Sequence, residues 1–345
     1  MNKNNTIKVG ITVGDINGIG IEIILKTFED ARMLEFCTPI IFASSKLVSA
    51  HKKQLNLHTQ TNGIENATKA IPNKVNLVNV WKDNVKIDFG KETKEGGKYA
   101  FLSLQAAVKS LQNNEIDVLV TAPINKHNIQ SDDFKFSGHT EYLEDNFEGE
   151  SLMILMTDKI KIGLITGHIP IQKITETITQ ELIEKKVNIM HNSLIQDFNI
   201  SKPKIAVLGL NPHCGDNGVI GNEDNDLIKP TLERMQVNGK LVYGPYSADS
   251  FFGSESYKKF DGILAMYHDQ GLAPFKTLSF GKGVNFTAGL NKIRTSPDHG
   301  TAYEIAGKGE ANHNSFKEAL YSAIDIFKSR KEYNELMENK LRIRK

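Results

Sequence analysis

Short apolar segments rich in β-branched residues alternate with longer amphipathic segments along most of the chain. In segment 98–112, for example, apolar residues recur at intervals of three and four, which is the period of a helix with one buried face. Such alternation predicts repeated strand–helix units and therefore an α/β fold with a mostly parallel sheet. A second helix is predicted at 180–198. The predicted strands are 8–13, 39–43, 75–80, 116–121, 151–156, 161–166, 204–210, 262–266 and 284–288.

Length and composition limit the classes of function. A chain of 345 residues exceeds what one core comfortably serves, which favours two domains, with a tight boundary near 121–127. With 42 Lys and Arg against 41 Asp and Glu, the chain has almost no net charge that would attract nucleic acid or an anionic membrane. We therefore expect a small-molecule partner. Two cysteines and the lack of a long apolar segment predict a reducing cytoplasm and no membrane span.

Three histidines follow three of the predicted strands, in "GLITGH", "VLGLNPH" and "GILAMYH". They are His168, His213 and His268. Ligands bind beyond the carboxyl ends of parallel strands, and three imidazoles with one open position are typical of a catalytic site for zinc or a similar metal. Each histidine taken alone is more simply a hydrogen-bonded structural residue. Cys214 would close the ligand shell, so we interpret it as a packed residue.

Cationic and polar residues cluster near the last histidine and farther upstream. Lys276 and Arg294 flank an apolar strand that contains Asn285, and together these side chains suit a phosphate or a carboxylate. His139 and Thr140 follow a glycine in "FSGHTEYL", where a helix is predicted to begin, and a helix start binds anions. Alternatively, Lys276 and Arg294 are solvated surface charges, and Thr140 is an ordinary helix cap.

An ordered set of motifs gives the chain a family resemblance. "GDINGIGIE", "FSGHTE", "GLNPHCGDNG", "MYHDQG" and "IRTSPDHGTA" resemble the 4-hydroxythreonine-4-phosphate dehydrogenase family over nearly the whole length. The resemblance implies a two-lobed α/β/α fold like that of isocitrate and isopropylmalate dehydrogenases, with the active site in the cleft between domains. The expected domains are 1–125 with 300–345, and 126–299, the latter carrying the metal and substrate residues and the dimer interface.

The resemblance also implies roles for particular residues. His168, His213 and His268 would bind one divalent ion, which would be zinc, cobalt or magnesium. The substrate ligands would be His139, Thr140, Lys276, Asn285 and Arg294. The family works as a homodimer with its active site at the subunit interface, and we expect His268 to come from the partner chain.

The cofactor site is predicted in the C-terminal loop "HGTAYEIAGKGEAN". "GDINGIG" near the first strand lacks the spacing of a dinucleotide-binding G-x-G-x-x-G loop. The loop resembles the one that cradles adenosine in isopropylmalate dehydrogenases, which implies cofactor-binding roles for His299, Gly300, Glu304 and Asn312. A carboxylate at Glu304 would repel a 2′-phosphate and so favours NAD over NADP.

The implied reaction is NAD(P)-dependent oxidation of 4-phosphooxy-L-threonine in pyridoxal 5′-phosphate biosynthesis. The product, 2-amino-3-oxo-4-phosphooxybutanoate, would decarboxylate to 3-amino-2-oxopropyl phosphate. Asp249 or Asp269 would accept the alcohol proton, or would instead orient a metal-binding imidazole. Two alternatives remain at this stage: a paralogous dehydrogenase of 4-phospho-D-threonate or D-erythronate, and a non-catalytic metal- or phosphate-binding protein.

Overall fold

The computed structural model describes residues 6–279 and 281–338 and has the alternating strands and helices of an α/β protein. The strands are β1 (Lys8–Thr12), β2 (Thr38–Ala43), β3 (Thr61–Ile64), β4 (Val75–Asn79), β5 (Val118–Thr121), β6 (Gly149–Met156), β7 (Lys161–Leu164), β8 (Ile205–Leu208), β9 (Val242–Tyr246), β10 (Gly262–Ala265), β11 (Val284–Leu290) and β12 (Arg294–Pro297). The α-helices are α1 (Gly20–Glu29), α2 (Ser45–Leu55), α3 (Lys94–Gln112), α4 (His139–Asn146), α5 (Ile174–Thr177), α6 (Gln180–Gln196), α7 (Lys229–Val237), α8 (Ala248–Gly253), α9 (His268–Ser279) and α10 (Asn314–Glu338).

The chain forms two compact units. Unit 1 comprises Met1–Glu148 and Asn291–Phe327, and unit 2 comprises Gly149–Leu290 and Lys328–Lys345. This division differs from the predicted domains, 1–125 with 300–345 and 126–299. The segment after β5 stays in unit 1 because the carbonyl of Pro123 accepts the amide of Asp15 at 2.9 Å, and Asn128 Nδ2 donates to the Asp15 carboxylate at 2.7 Å.

Unit 1 contains a parallel sheet with the strand order β3-β4-β2-β1-β5-β12. Every residue of β2 is buried, as expected for a parallel strand covered on both faces. Helix α1 is buried almost all round, including the carboxylate of Glu22, which is 1 % exposed. A buried carboxylate requires partners, so α1 does more than fill the core.

Unit 2 contains a mixed sheet with the order β11-β6-β7-β10-β8-β9. Strand β6 runs antiparallel to β11 and β7, whereas β7, β10, β8 and β9 are parallel to one another. The carboxyl ends of β7, β10 and β8 are therefore neighbours along one edge of this sheet.

All nine predicted strands are confirmed, with shifted ends, but three strands escape the sequence analysis. β3 reads TNGI, and β12 reads RTSP, so both lack an apolar run. β9 reads VYGPY, and proline argues against a strand except at a sheet edge, which is where β9 lies within its unit. Among the described residues, no helix is both long and apolar enough to cross a membrane.

Candidate functional site

The three predicted metal-binding histidines lie beyond neighbouring strand ends of unit 2. His168 follows β7, His213 follows β8, and His268 is the first residue of α9, directly after β10. The rings of His168 and His268 lie side by side, with their centroids 5.2 Å apart. His168 and His213 are exposed, and the side chain of His268 is 37 % exposed. One chain thus brings at least two of the predicted ligands together at an accessible surface.

His213 lies in a left-handed turn. The φ angles of His213, Cys214 and Asp216 are 51°, 53° and 44°, a region that costs a side-chain-bearing residue about 1–2 kcal/mol. Gly215 lies within the same turn and also has a positive φ, of 79°. A Cβ at this position would meet the carbonyl oxygen of Gly221 at 2.3 Å. Such strained backbone is concentrated at functional sites, where the surrounding structure maintains it.

The buried carboxylate of Asp224 holds the start of this turn. It accepts hydrogen bonds from the backbone amides of Leu210 and Asn211 at 2.8 and 2.9 Å, and from Asn211 Nδ2 at 3.1 Å. Asp224 is fully buried, so these bonds satisfy a group that would otherwise be costly. Sequence reasoning missed Asp224, because nothing local distinguishes it from the nearby surface acids.

The two candidate proton acceptors have different surroundings. Asp269 Oδ1 lies 2.7 Å from His268 Nδ1, so it can orient this imidazole and leave Nε2 for another ligand. Asp249 lies beside a cavity of about 240 Å³ that His213 and Tyr267 also line. Hydrogen bonds from Ser247 and from a backbone amide, and the charge of His213, lower the pKa of Asp249. Asp249 is therefore ionised near neutral pH.

The donor chemistry of this surface fits a divalent transition metal. Imidazole nitrogens with a carboxylate behind one of them are typical zinc ligands. Within residues 6–279 and 281–338, however, no three His, Cys, Asp or Glu side chains are grouped closely enough to hold an ion. The complete three-histidine shell therefore stays a prediction.

In unit 1, the predicted anion ligands lie around the start of α4. His139 begins this helix, with Thr140 next to it, and its Nε2 is buried without a hydrogen-bond partner among the described residues. Burial, followed by the charges of Arg294 and Lys126, lowers the pKa of His139 well below its usual value. A neutral imidazole with an unused buried nitrogen, beside cations, suits an anionic ligand that carries a proton donor.

Arg294 is a buried cation of β12, only 4 % exposed. Its Nε and Nη2 donate to Thr121 Oγ1 at 2.9 and 2.7 Å, which fixes the plane of the guanidinium. Burial lowers the pKa of Arg294 to about 9, opposed by the charge of Glu141. Arg294 therefore carries its charge near neutral pH despite its burial.

Lys126 is a cation near this site that sequence reasoning treated only as part of a domain boundary. Burial lowers its pKa, and the charge of Glu141 opposes this effect. Its Nζ lies near the Gly138 turn that precedes α4. The only sequence signal was its place in "TAPINKH", the segment that leads out of β5.

The remaining predicted substrate residues lie in unit 2. Lys276 is exposed on α9. Asn285 is in β11 as predicted, and its Oδ1 is buried with no partner in the part of the chain that the structure describes. A buried amide oxygen without a partner is costly and suits a ligand that donates a hydrogen bond.

The predicted cofactor loop is an irregular segment between β12 and α10. His299 Nε2 is buried and has no partner in the described chain, which fits a role in ligand binding. Gly300 and Glu304 are exposed, and Asn312 Oδ1 accepts the amide of Asn314 near the start of α10 at 2.9 Å. Asn312 thus has a capping contact independent of any cofactor.

The "GDINGIG" segment and α1 support this loop. Asp15 accepts the Tyr303 hydroxyl at 2.8 Å, and burial together with this bond raises the pKa of Tyr303. Glu22 Oε1 accepts the amide of Ala311 at 2.9 Å. Lys26 Nζ, paired with Glu22 at 2.7 Å, donates to the carbonyls of Gly309 and Ala311 at 2.7 and 2.9 Å. Residues near the first strand therefore hold the loop that the resemblance assigns to adenosine.

A larger cavity of about 670 Å³ lies elsewhere in unit 1. Glu29, His58 and Lys74 are among the residues that line it, and none of the predicted site residues does. Cavity size alone therefore does not identify the site.

Comparisons with known proteins show the family to which the chain belongs. Residues 35–323 match the family model of the pyridoxal phosphate biosynthetic protein PdxA. A protein of Bacteroides thetaiotaomicron named 4-hydroxythreonine-4-phosphate dehydrogenase is 51 % identical over 99 % of this chain and 94 % of its own length. A protein of the same name from a Sulfurihydrogenibium species is 41 % identical over 94 % of this chain and 100 % of its own.

Solved structures are similar over the same extent. The crystal structure of 4-hydroxythreonine-4-phosphate dehydrogenase from Klebsiella pneumoniae has a TM-score of 0.80 and 30 % identity, and covers 95 % of this chain and 99 % of its own. Isocitrate dehydrogenase from Methylococcus capsulatus, with a TM-score of 0.51 and 11 % identity over 96 % and 89 % of the two chains, shares the fold alone. The predicted fold class is confirmed, and the chain belongs to the PdxA family of pyridoxal phosphate biosynthetic proteins.

Proposed function

We propose that this chain is a dehydrogenase that oxidises the secondary alcohol of 4-phosphooxy-L-threonine with NAD. The product, 2-amino-3-oxo-4-phosphooxybutanoate, loses CO₂ to give 3-amino-2-oxopropyl phosphate, a step in pyridoxal 5′-phosphate biosynthesis. The observation that carries this proposal is 51 % identity, over almost the full length of both chains, to a protein named for that activity. The unpaired buried atoms of His139, Asn285 and His299 support it, because each lies at a position assigned to substrate or cofactor.

The substrate's anionic groups are bound by cations of fixed position. Arg294, oriented by Thr121, offers a rigid guanidinium of the kind that recognises phosphate and carboxylate. His139 and Thr140 contribute the start of α4. Lys276 and Asn285 supply a further cation and a hydrogen-bond acceptor.

The alcohol proton passes to Asp249 in this proposal. Its pKa is lowered, so the carboxylate is available as an acceptor, and it lies with His213 at the same small cavity. Asp269 instead orients His268 through Nδ1. A zinc, cobalt or magnesium ion bound by the three histidines would act as a Lewis acid that favours loss of this proton and stabilises the developing negative charge.

NAD is the proposed hydride acceptor, bound through the loop that begins at His299. Gly300 leaves space for close approach of the adenosine, and Asn312 ends the loop. Glu304 is exposed, and in this proposal its carboxylate faces the ribose, where it would repel the 2′-phosphate of NADP.

The active unit is proposed to be a homodimer in the cytoplasm, with each site completed at the subunit boundary. The exposure of His168 and His213 supports this, because metal ligands are normally enclosed by protein or substrate. The balanced charge of the chain supports a small phosphorylated substrate and no nucleic-acid or membrane partner.

A parallel assay tests the proposed substrate. NAD reduction is measured with 4-phosphooxy-L-threonine, 4-phospho-D-threonate and 4-phospho-D-erythronate at equal concentration and saturating divalent metal. We expect kcat/KM to be highest for the amino acid. Higher kcat/KM for either aldonate would assign the chain to sugar-acid catabolism instead, and no turnover of any of the three would refute a dehydrogenase of this class.

A further inference from the structure

Lys126 is a second cation of unit 1 that is held close to the start of α4. The first, Arg294, lies on β12, and Thr121 of the neighbouring strand β5 orients its guanidinium. Lys126 lies in the segment that leads out of β5. Gln130 Nε2 donates to the carbonyl of Lys126 at 3.0 Å and to the carbonyl of Phe136 at 2.8 Å. The segment that carries Lys126 is thereby tied to the one that leads into α4.

The glycine before α4 leaves room beside the ammonium of Lys126. A Cβ at Gly138 would lie 4.0 Å from Lys126 Nζ and 3.4 Å from Glu141 Oε2, so both charged groups lie next to the same point of the backbone. Gly138 has no side chain that could cap the amides of the first turn. The Lys126 side chain as a whole is accessible from solvent, so a ligand can reach its partly enclosed ammonium.

Lys126 and Arg294 act on the same two neighbouring groups. Burial, followed by the charges of Arg294 and Lys126, lowers the pKa of His139. The charge of Glu141 opposes the effect of burial on the pKa of Lys126 and on that of Arg294. Glu141 is in the first turn of α4, where the helix dipole also favours a negative charge. The start of α4 therefore attracts an anion, and in the free chain this anion is a carboxylate of its own.

The donors at this place suit a phosphate group better than a carboxylate. A phosphate ester carries a charge of about −1.5 to −2 at neutral pH and three strong acceptor oxygens. The guanidinium of Arg294, the ammonium of Lys126 and the first amides of α4 come from three different segments, so they can approach three oxygens separately. A carboxylate has two oxygens and one charge, for which a guanidinium alone is sufficient.

We propose that Lys126 is a further substrate-binding residue, which binds the phosphate group of the substrate together with Arg294 and the start of α4, against the counter-charge of Glu141. The inference rests on the proposed function and adds to it a residue that the family resemblance does not name. A merely structural ion pair between Lys126 and Glu141 would make both residues favourable for binding. Phosphate binding instead predicts effects of opposite sign, because the lysine attracts the ligand and the glutamate repels it.

The test is a titration of the full-length protein with inorganic phosphate, followed by ³¹P nuclear magnetic resonance, which requires no turnover. Lys126→Met keeps the apolar stem and removes the charge, and we expect it to bind phosphate about 10-fold more weakly, as for the loss of one charged hydrogen bond. Glu141→Gln should bind phosphate about 5-fold more tightly, because a like charge is removed. Lys126→Arg keeps the charge and should remain within about 3-fold of the unmodified chain.

The matched control is Lys135→Met, which changes the net charge by the same amount. Lys135 is an exposed lysine three residues before Gly138 in the same segment. We expect its phosphate affinity to equal that of the unmodified chain. Acetate at the same concentration should not displace phosphate, since a single charge is attracted less strongly than a double one.

A kinetic comparison connects the site with the substrate. With 4-phosphooxy-L-threonine, Lys126→Met should raise KM by about 10-fold and leave kcat within about 2-fold, because the phosphate contact is equally strong in the ground state and in the transition state. A large fall in kcat at unchanged KM would overturn the assignment of Lys126 to substrate binding.

The remaining outcomes separate this inference from the proposed function. Weaker phosphate binding by both Lys126→Met and Glu141→Gln, or equal weakening by Lys135→Met, would overturn the inference. It would also be overturned if the unmodified chain bound no phosphate or if acetate displaced phosphate. Opposite effects of the two substitutions on phosphate binding, without turnover of 4-phosphooxy-L-threonine by the unmodified chain, would uphold the phosphate site and refute the proposed substrate.

Discussion

Replacing Glu22 should release the C-terminal loop from α1. The Glu22 carboxylate is 1 % exposed and binds both the amide of Ala311 and the ammonium of Lys26. Glu22→Ala leaves this amide without its acceptor and Lys26 without its counter-ion. Breaking a buried pair in this way costs about 3–5 kcal/mol. Because the Lys26 side chain is 19 % exposed, we expect a value near the lower end, about 3 kcal/mol.

Glu22→Gln separates the charge from the hydrogen bond. The amide oxygen can still accept from Ala311, and Lys26 keeps its bonds to the carbonyls of Gly309 and Ala311. Only the difference between a charged and a neutral hydrogen bond is lost, about 1 kcal/mol. For a domain of about 150–250 residues, each kcal/mol lowers Tm by about 2–4 °C, so the alanine variant should melt about 6–12 °C lower and the glutamine variant about 2–4 °C lower.

The assay is thermal unfolding of both variants, followed by circular dichroism, with NAD binding measured by calorimetry. The control is Glu29→Ala at the end of the same helix, where an exposed carboxylate accepts the amide of His58 at 3.0 Å and the loss should stay within about 1 kcal/mol. We expect NAD affinity to fall in the order unmodified chain, Glu22→Gln, Glu22→Ala. Equal Tm values for Glu22→Ala and Glu29→Ala would refute the argument that Glu22 holds the loop.

Three further predictions concern pH, cofactor and assembly. Burial lowers the pKa of His51 from 6.5 to about 4, so the neutral imidazole contributes fully to folding stability above pH 6.5, and this contribution decreases as the pH falls toward 4. His51→Phe should therefore abolish a loss of roughly 3 kcal/mol in the free energy of unfolding over this pH range. An unchanged dependence of Tm on pH in this variant would contradict the argument. Glu304→Lys should raise the NADP-to-NAD ratio of kcat/KM by about 5- to 150-fold, which corresponds to about 1–3 kcal/mol, and an unchanged ratio would place Glu304 away from the ribose. If the metal site is shared between subunits, activity should return when inactive His168→Ala protein is mixed with an inactive variant of a ligand that comes from the other chain. The two mixtures to test are with His213→Ala and with His268→Ala. The mixture that combines ligands from different chains should regain about half of the activity per heterodimer. Continued inactivity of both mixtures after proven subunit exchange would assign all three histidines to one chain.

The sequence alone determined the elements whose signal is local. All nine strands with an apolar β-branched run were predicted, because a strand that is covered on both faces of a sheet needs apolar side chains at most of its positions. The position of His139 at a helix start and of Asn285 inside a strand followed from the same patterns. The strands β9 and β12 were missed because proline and polar residues conceal strands that are held by their neighbours rather than by their own propensity.

Only the tertiary structure decided how the predicted residues are held. "GDINGIG" was recognised as a departure from a dinucleotide-binding loop, but its neighbour Glu22 binds an amide 289 positions away. Gln270 was simply part of "MYHDQG", and its two partners are backbone groups of Met266 and Gly209, which follow different strands. Periodicity reports whether a residue is buried, whereas a hydrogen bond between distant segments depends on strand order and register, which no local pattern encodes.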